Sequence, residues 1–282
     1  MTDVFTRNNT RILGREDGPV VMFAHGFGCD RGTWEKMLPY FIETHRVVLF
    51  DHVGAGDSDL ASYDSVKYAT LDGYAGDVIE ICDALDLSDV TLVAHSVSGM
   101  IAIAAAVKDP RRLGKIVLLA SSPSYLDYPA DGYVGGFTAE DLDALLSSLD
   151  ANYLVWAATM APVIMGTPNA PDNASELEAS FRRVNPMVAR EFSRVAFLSD
   201  VRHLLKDVTV PTLILQCTDD LLAPAHIGHY LQENLPHSNL VQLTATGHCP
   251  HVSSPGESAE AIVNYLHLGT APQVEPRLSV AI

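Results

Sequence analysis

Short apolar runs rich in β-branched residues recur along the first part of the chain, at residues 20–24, 46–50, 90–94 and 115–120. Runs of this length with little polar alternation predict strands buried on both faces. Between them the period changes. Tyr74, Val78, Ile81, Cys82 and Leu85 fall on one face of a helix, and MIAIAAAV, from Met100, reads as a buried helix. The alternation resumes with a strand at 212–217, a helix about 226–235, a strand at 240–244 and a last helix about 257–268. Strands alternating with helices predict an α/β fold with a mostly parallel sheet flanked by helices.

Residues 124–205 break that rhythm and contain no convincing strand. Thr138-Ala-Glu-Asp141 has the form of a capping box, and Leu142, Leu145, Leu146 and Leu149 follow at helical spacing. Further helical stretches follow Asn173 and Pro186. An all-helical insert in an α/β domain predicts a lid over the site. The expected organisation is therefore a core in two parts, 1–123 and 206–268, a helical lid at 124–205, and a flexible tail at 269–282. The tail has two prolines and no periodicity.

Composition narrows the function. With 282 residues, 48% hydrophobic and 19% charged, the chain supplies a sizeable core, and global disorder is excluded. A net charge of −17, from 18 basic against 35 acidic residues, argues against nucleic acid as a partner. No apolar run approaches the ~18–20 residues that span a bilayer. Cys29, Cys82, Cys217 and Cys249 form no CxxC pair, and the N-terminus lacks a secretory apolar core. Reduced thiols in a cytoplasmic protein are the expectation.

The chemistry turns on VAHSVSGM, which lies between the strand at 90–94 and the helix beginning near Met100. It has the layout Gly-x-Ser-x-Gly with Ala94 and Ser98 in the glycine places. A sharp strand-to-helix turn crowds its backbone and asks for small residues there, and Gly99 adds room. Taken alone, Ser96 is either an activated nucleophile or a serine that ends a buried strand. Three further features bear on the choice. AHGFGCD follows the strand at 20–24, and its glycines let main chain approach a substrate. Phe27 N–H and Val97 N–H are the expected oxyanion-hole donors. LILQCTDDLLAP offers Asp219 or Asp220 after a later strand, and TATGHCPHVSSP offers His248 after the last. Serine, acid, histidine is the α/β-hydrolase order.

In that reading His248 takes the Ser96 proton during attack, the acid orients His248, and two N–H groups receive the oxyanion. This chemistry calls for no cofactor and no metal. His226 and His229 have helical metal spacing but no third ligand, and read as a solvated face. Cys249 reads as a small buried hydrophobe. His25 and His95 read as structural, and the glycine loop FDHVGAGDSD as a turn packed beneath the site.

Longer segments carry a resemblance. HGFGCDRGTW, HRVVLFDHVGAGDSD, YATLDGYAGDV, GGF at 135–137, AFLSD at 196–200, VPTLILQCTDD and GHCPH are the segments concerned. By them the chain, from about residue 10 to 268, resembles the α/β-hydrolase subfamily of the sigma-B stress regulator RsbQ and the plant karrikin and strigolactone receptors. The resemblance implies a triad of Ser96, Asp220 and His248. Asp220 is chosen over Asp219 because the family acid lies four residues before a proline, here Pro224. It implies an oxyanion hole at Phe27 and Val97 and an apolar pocket lined by Phe27, Phe137, Trp156, Phe181 and Phe197. It further implies a small apolar ester or lactone as substrate, a stress-signalling role, and a PAS-domain phosphatase as protein partner. The alternative it leaves open is a ligand sensor whose slow covalent hydrolysis switches partner binding.

Overall fold

Seven strands, β1 (Arg11–Gly14), β2 (Val20–Ala24), β3 (Arg46–Leu49), β4 (Val90–His95), β5 (Leu113–Leu119), β6 (Thr212–Gln216) and β7 (Ser238–Gln242), form one sheet in the computed structural model. Their order is β1-β3-β2-β4-β5-β6-β7, parallel throughout except where β1 runs antiparallel to β3. The structure describes residues 3–268, so the tail expected at 269–282 lies outside the described residues.

Alternation along the strands builds a core on each face of the sheet. Val21, Phe23, Val47, Leu49, Val93 and Val117 point to one side and pack with Trp34 and Phe41. Met22, Val48, Leu92 and Ile116 point to the other, against helices α2 (Leu71–Ala84) and α3 (Val97–Lys108). A short first helix, α1 (Val4–Arg7), precedes them. Both faces being covered is what the uninterrupted apolar strands require.

Between β5 and β6 the chain inserts four helices: α4 (Ala139–Ala151), α5 (Tyr153–Met165), α6 (Pro171–Arg183) and α7 (Pro186–Leu198). Thr138 caps α4 reciprocally with Asp141, as the capping-box pattern predicts. Asn152 caps α5 and Asn185 caps α7, each accepting a first-turn N–H. The last core elements are α8 (Ala225–Asn234), α9 (Pro250–Ser253) and α10 (Pro255–Leu268).

Two departures from the hydropathy pattern have physical causes. β1 is absent from it because an edge strand with exposed ends and a half-buried centre carries no apolar run. β7 begins two residues before the apolar stretch because its other edge faces solvent, so Ser238 and Asn239 pair with β6 without burial cost.

Candidate active site

Ser96, Asp220 and His248 follow β4, β6 and β7, parallel strands whose carboxyl ends lie on the same side of the sheet. Ser96 follows β4 directly and caps α3, with φ 58° and ψ −126°. That conformation costs a non-glycine residue ~1–3 kcal/mol. It is held by Ser96 N–H donating to Leu119 O (3.0 Å) and Gly99 N–H donating to Ser96 O (2.9 Å). Gly99 is needed here, because a Cβ would lie 2.3 Å from Ser121 Oγ. Ser98 is fully buried and fits, its hydroxyl bonded to the carbonyl of His25.

His248 lies in the turn between β7 and α9. Its Nε2 stands 2.8 Å from Ser96 Oγ, and its Nδ1 stands 2.8 Å from Asp220 Oδ2 and 3.1 Å from Oδ1. The Asp220 carboxylate is completely buried and also accepts the N–H groups of Leu222 and Ala223. Asp219, the other candidate acid, is exposed, and its carbonyl takes the N–H of Gly247 instead. With Asp220 accepting from Nδ1–H, His248 presents an unprotonated Nε2 to the serine hydroxyl.

His95 is buried behind the triad and its Nε2–H donates to the carbonyl of His248 (2.8 Å). Burial holds its pKa well below the ordinary imidazole value, and neighbouring His251 is pushed down to about 3 by the same cause. Both stay neutral, so neither places a second positive charge beside the imidazolium that forms on His248.

Phe27 and Val97 line the same cavity as Ser96. Phe27 lies on the loop after β2, and Val97 opens α3, whose first N–H groups have no intrahelical acceptor. Phe27, Trp156, Phe181 and Phe197 line one narrow cavity together with Ser96 and His248. The Phe27 ring is their hub, 5.9 Å from Trp156, 6.3 Å from Phe181 and 6.1 Å from Phe197. A free volume of about 20 Å³ remains, room for about one water molecule.

Phe137 is a correction: it is not among the cavity's lining residues. It pairs with Leu126 by a backbone bridge and donates its N–H to Tyr125 O (3.1 Å), so this loop delivers Tyr125 to the cavity in its stead. The Tyr125 hydroxyl lies 3.1 Å from Ser96 Oγ, and burial raises its pKa, keeping it protonated. With the serine proton directed at His248, Tyr125 is the donor. Nothing in the local sequence around Tyr125 signals this role. Cys29 and Cys249 also line the cavity, and all four cysteines are buried and free. Desolvation pushes Cys29 up to about 12 and Cys249 well above the ordinary thiol value, so both are inert hydrophobes here. His226 and His229 are exposed on α8, with His226 Nε2 donating to Val134 O.

Residues 21–261 match the alpha/beta hydrolase family. The chain belongs to that family. It is 36% identical over 261 residues to the karrikin insensitive 2 receptor CA of Petunia hybrida, covering 92% of this chain and 96% of the receptor. To the strigolactone esterase D14 of Arabidopsis thaliana it is 35% identical over 253 residues, 89% of this chain and 93% of the esterase. Among solved structures, olei00960, a hydrolase from Oleispira antarctica, superposes with a TM-score of 0.90 at 41% identity, covering 94% of this chain and 96% of that one. The chain is an α/β-hydrolase of the Ser-His-Asp type. Among the described residues no helix is long and apolar enough to cross a membrane.

Proposed function

We propose that this chain hydrolyses a small apolar ester or lactone through an acyl-enzyme on Ser96, with α4–α7 (within residues 124–205) acting as a lid. The observation that carries the reading is the unbroken line from Asp220 through His248 to Ser96, with Ser96 and His248 lining a narrow, largely aromatic cavity. His248 Nε2 takes the Ser96 proton as Oγ bonds to the carbonyl carbon. Phe27 N–H and Val97 N–H receive the oxyanion, each such donor being worth roughly 2.7–4 kcal/mol in kcat. Collapse breaks the ester C–O bond, and His248 returns its proton to the departing alkoxide. A water then repeats the sequence, and Ser96 regains its proton from His248. In a lactone the alkoxide stays tethered to the acyl chain, so no fragment leaves until the second half.

Apolar walls select apolar groups, and the Trp156 indole N–H, buried without an acceptor among the described residues, suits one ester or lactone oxygen. A signalling role alongside turnover rests on the relatives: one is named a karrikin receptor, another a strigolactone esterase. In this second reading slow hydrolysis rearranges the lid and presents a surface to a protein partner such as a PAS-domain phosphatase.

The experiment is an intact-mass time course with an activated acyl ester, run beside Ser96→Ala. A single acyl adduct that appears and decays, absent in the variant, supports turnover. An adduct that persists favours the switch. A parent protein that takes neither the ester nor a small serine-reactive phosphonate ends the catalytic reading.

A further inference from the structure

Three fully buried side chains meet near the segment that carries Phe27: His25 and His52, each from a loop after a strand, and Ser98 from the first turn of α3. Their protons are fixed by backbone partners. The His52 N–H donates to His25 Nε2 (3.0 Å), so Nε2 carries no hydrogen and the ring proton sits on Nδ1. Nδ1–H then donates to the carbonyl of Gly26 (2.9 Å). The carbonyl of His25 itself is gripped from the other side, where Ser98 Oγ–H donates to it (2.5 Å) and His52 Nε2–H donates to Ser98 Oγ (2.8 Å). Desolvation holds the His52 pKa well below the ordinary value, which keeps His52 neutral.

The consequence lies in the next peptide. Gly26 O belongs to the same peptide plane as Phe27 N–H, and in a trans peptide the two point in opposite directions. Gly26 O is held by His25 Nδ1–H and by Cys29 N–H (3.2 Å). Pinning it there leaves Phe27 N–H aimed the other way. The loop is also pressed against the nucleophile, since a Cβ on Gly26 would lie 3.1 Å from Ser96 Cβ. We propose that His25, with His52 and Ser98 holding it, is a positioning residue that sets the Gly26–Phe27 peptide so that Phe27 N–H serves the oxyanion. The inference rests on the reading of Ser96 as nucleophile and Phe27 as donor. It also gives Ser98 a use that glycine could not supply.

The test compares the parent with His25→Leu, His25→Asn and Ser98→Ala, measuring single-turnover acylation by an activated acyl ester, kcat, KM and thermal unfolding. Asn places an amide N–H where Nδ1–H stands, whereas Leu removes the donor. Loss of an aimed oxyanion donor predicts acylation of His25→Leu slower by about 10²-fold with KM little changed. His25→Asn recovers roughly tenfold of that loss, and Ser98→Ala loses about fivefold, as expected for a donor that remains present but is less well aimed. Parental acylation in His25→Leu, or equal losses in the Leu and Asn variants, overturns the proposal. If His25→Leu does not fold, Ser98→Ala decides, and parental acylation there overturns it equally. A parent that forms no Ser96 adduct removes the underlying reading and this inference with it. A parent that acylates while the variants match it removes this inference alone.

Discussion

The backbone N–H of His248 donates to the carbonyl of Ile164, 2.9 Å away in the last turn of α5. The inserted helices are thus tied by main chain to the loop that carries the general base. The contact is close: a Cβ on Gly247, whose φ is +76°, would lie 1.8 Å from Met165 O. Gly247→Ala therefore has to push α5 and the His248 loop apart. A displacement near 1 Å costs roughly 10²-fold in rate, so kcat should fall by about that factor with the fold retained. Gly132→Ala is the control, since Gly132 also has positive φ (+68°) but nothing within 4 Å. Equal kcat values for the two variants would show that His248 is positioned without help from α5.

The two adjacent acids make a clean comparison. Asp220 fixes the His248 tautomer from a buried site, while the Asp219 side chain is exposed. Asp220→Asn should lower kcat by about 10⁴-fold, the loss expected when the imidazole adopts the wrong tautomer. Asp219→Asn should leave kcat within about twofold, as surface changes generally do. Steady-state kinetics on one activated ester decides it, and the reverse ranking would move the acid to Asp219.

Much of this was legible in the chain before any coordinates. The strands flanking Ser96 and Phe27 announce themselves because β2 and β4 are buried on both faces and admit no polar residue in their centres. Thr138 and Asp141 mark the start of α4 by local hydrogen bonding alone. Other features were hidden for stated reasons. α5 is apolar on most of its surface and contains Pro162, so no periodicity separates it from a loop. Tyr125 reaches Ser96 only because its loop is folded back by the Leu126–Phe137 bridge, a contact no spacing rule anticipates. The same long-range folding is why Phe137 is absent from the cavity wall. His52 sat inside a glycine turn whose role looked purely structural, and its bond to Ser98 joins positions far apart in sequence.

Tyr125→Phe removes the donor to Ser96 Oγ without emptying the site. One such hydrogen bond contributes about 0.5–1.5 kcal/mol, which corresponds to a kcat lower by roughly threefold to tenfold. The loss should appear in the acylation rate, because the bond holds Oγ in line with His248 before attack. An unchanged acylation rate would make Tyr125 a wall residue only.

The buried histidines predict acid sensitivity of the fold. Burial depresses the pKa of His251 to about 3 and lowers those of His95 and His52 well below the ordinary value. A depressed histidine pKa means the unfolded chain binds a proton that the folded chain refuses. The associated stability is present above pH ~6.5 and is lost as pH falls toward the folded pKa. Between pH 7 and pH 5 His251 alone accounts for a loss of about 2 kcal/mol. Urea unfolding across that range should give a stability that rises with pH, and His251→Gln should lower the slope by about one proton. A slope unchanged by that substitution would assign the acid sensitivity to other groups.

The cavity's size predicts its selectivity. Phe181 is 2% exposed and packs over the loop that carries Phe27, where a Cβ on Gly28 would lie 2.1 Å from its ring. With about 20 Å³ free, any acyl group has to displace one of the aromatic walls, and Phe181 is carried by α6 rather than by the sheet. Phe181→Ala should open space for longer acyl chains at a stability cost of about 3–5 kcal/mol. Each methylene newly accommodated is worth ~1–3 kcal/mol in discrimination. The ratio of kcat/KM for a hexanoyl over an acetyl ester should therefore rise at least about tenfold. If the ratio stays where it was, the acyl chain lies elsewhere, against Phe197, which lines the same cavity and is carried by α7.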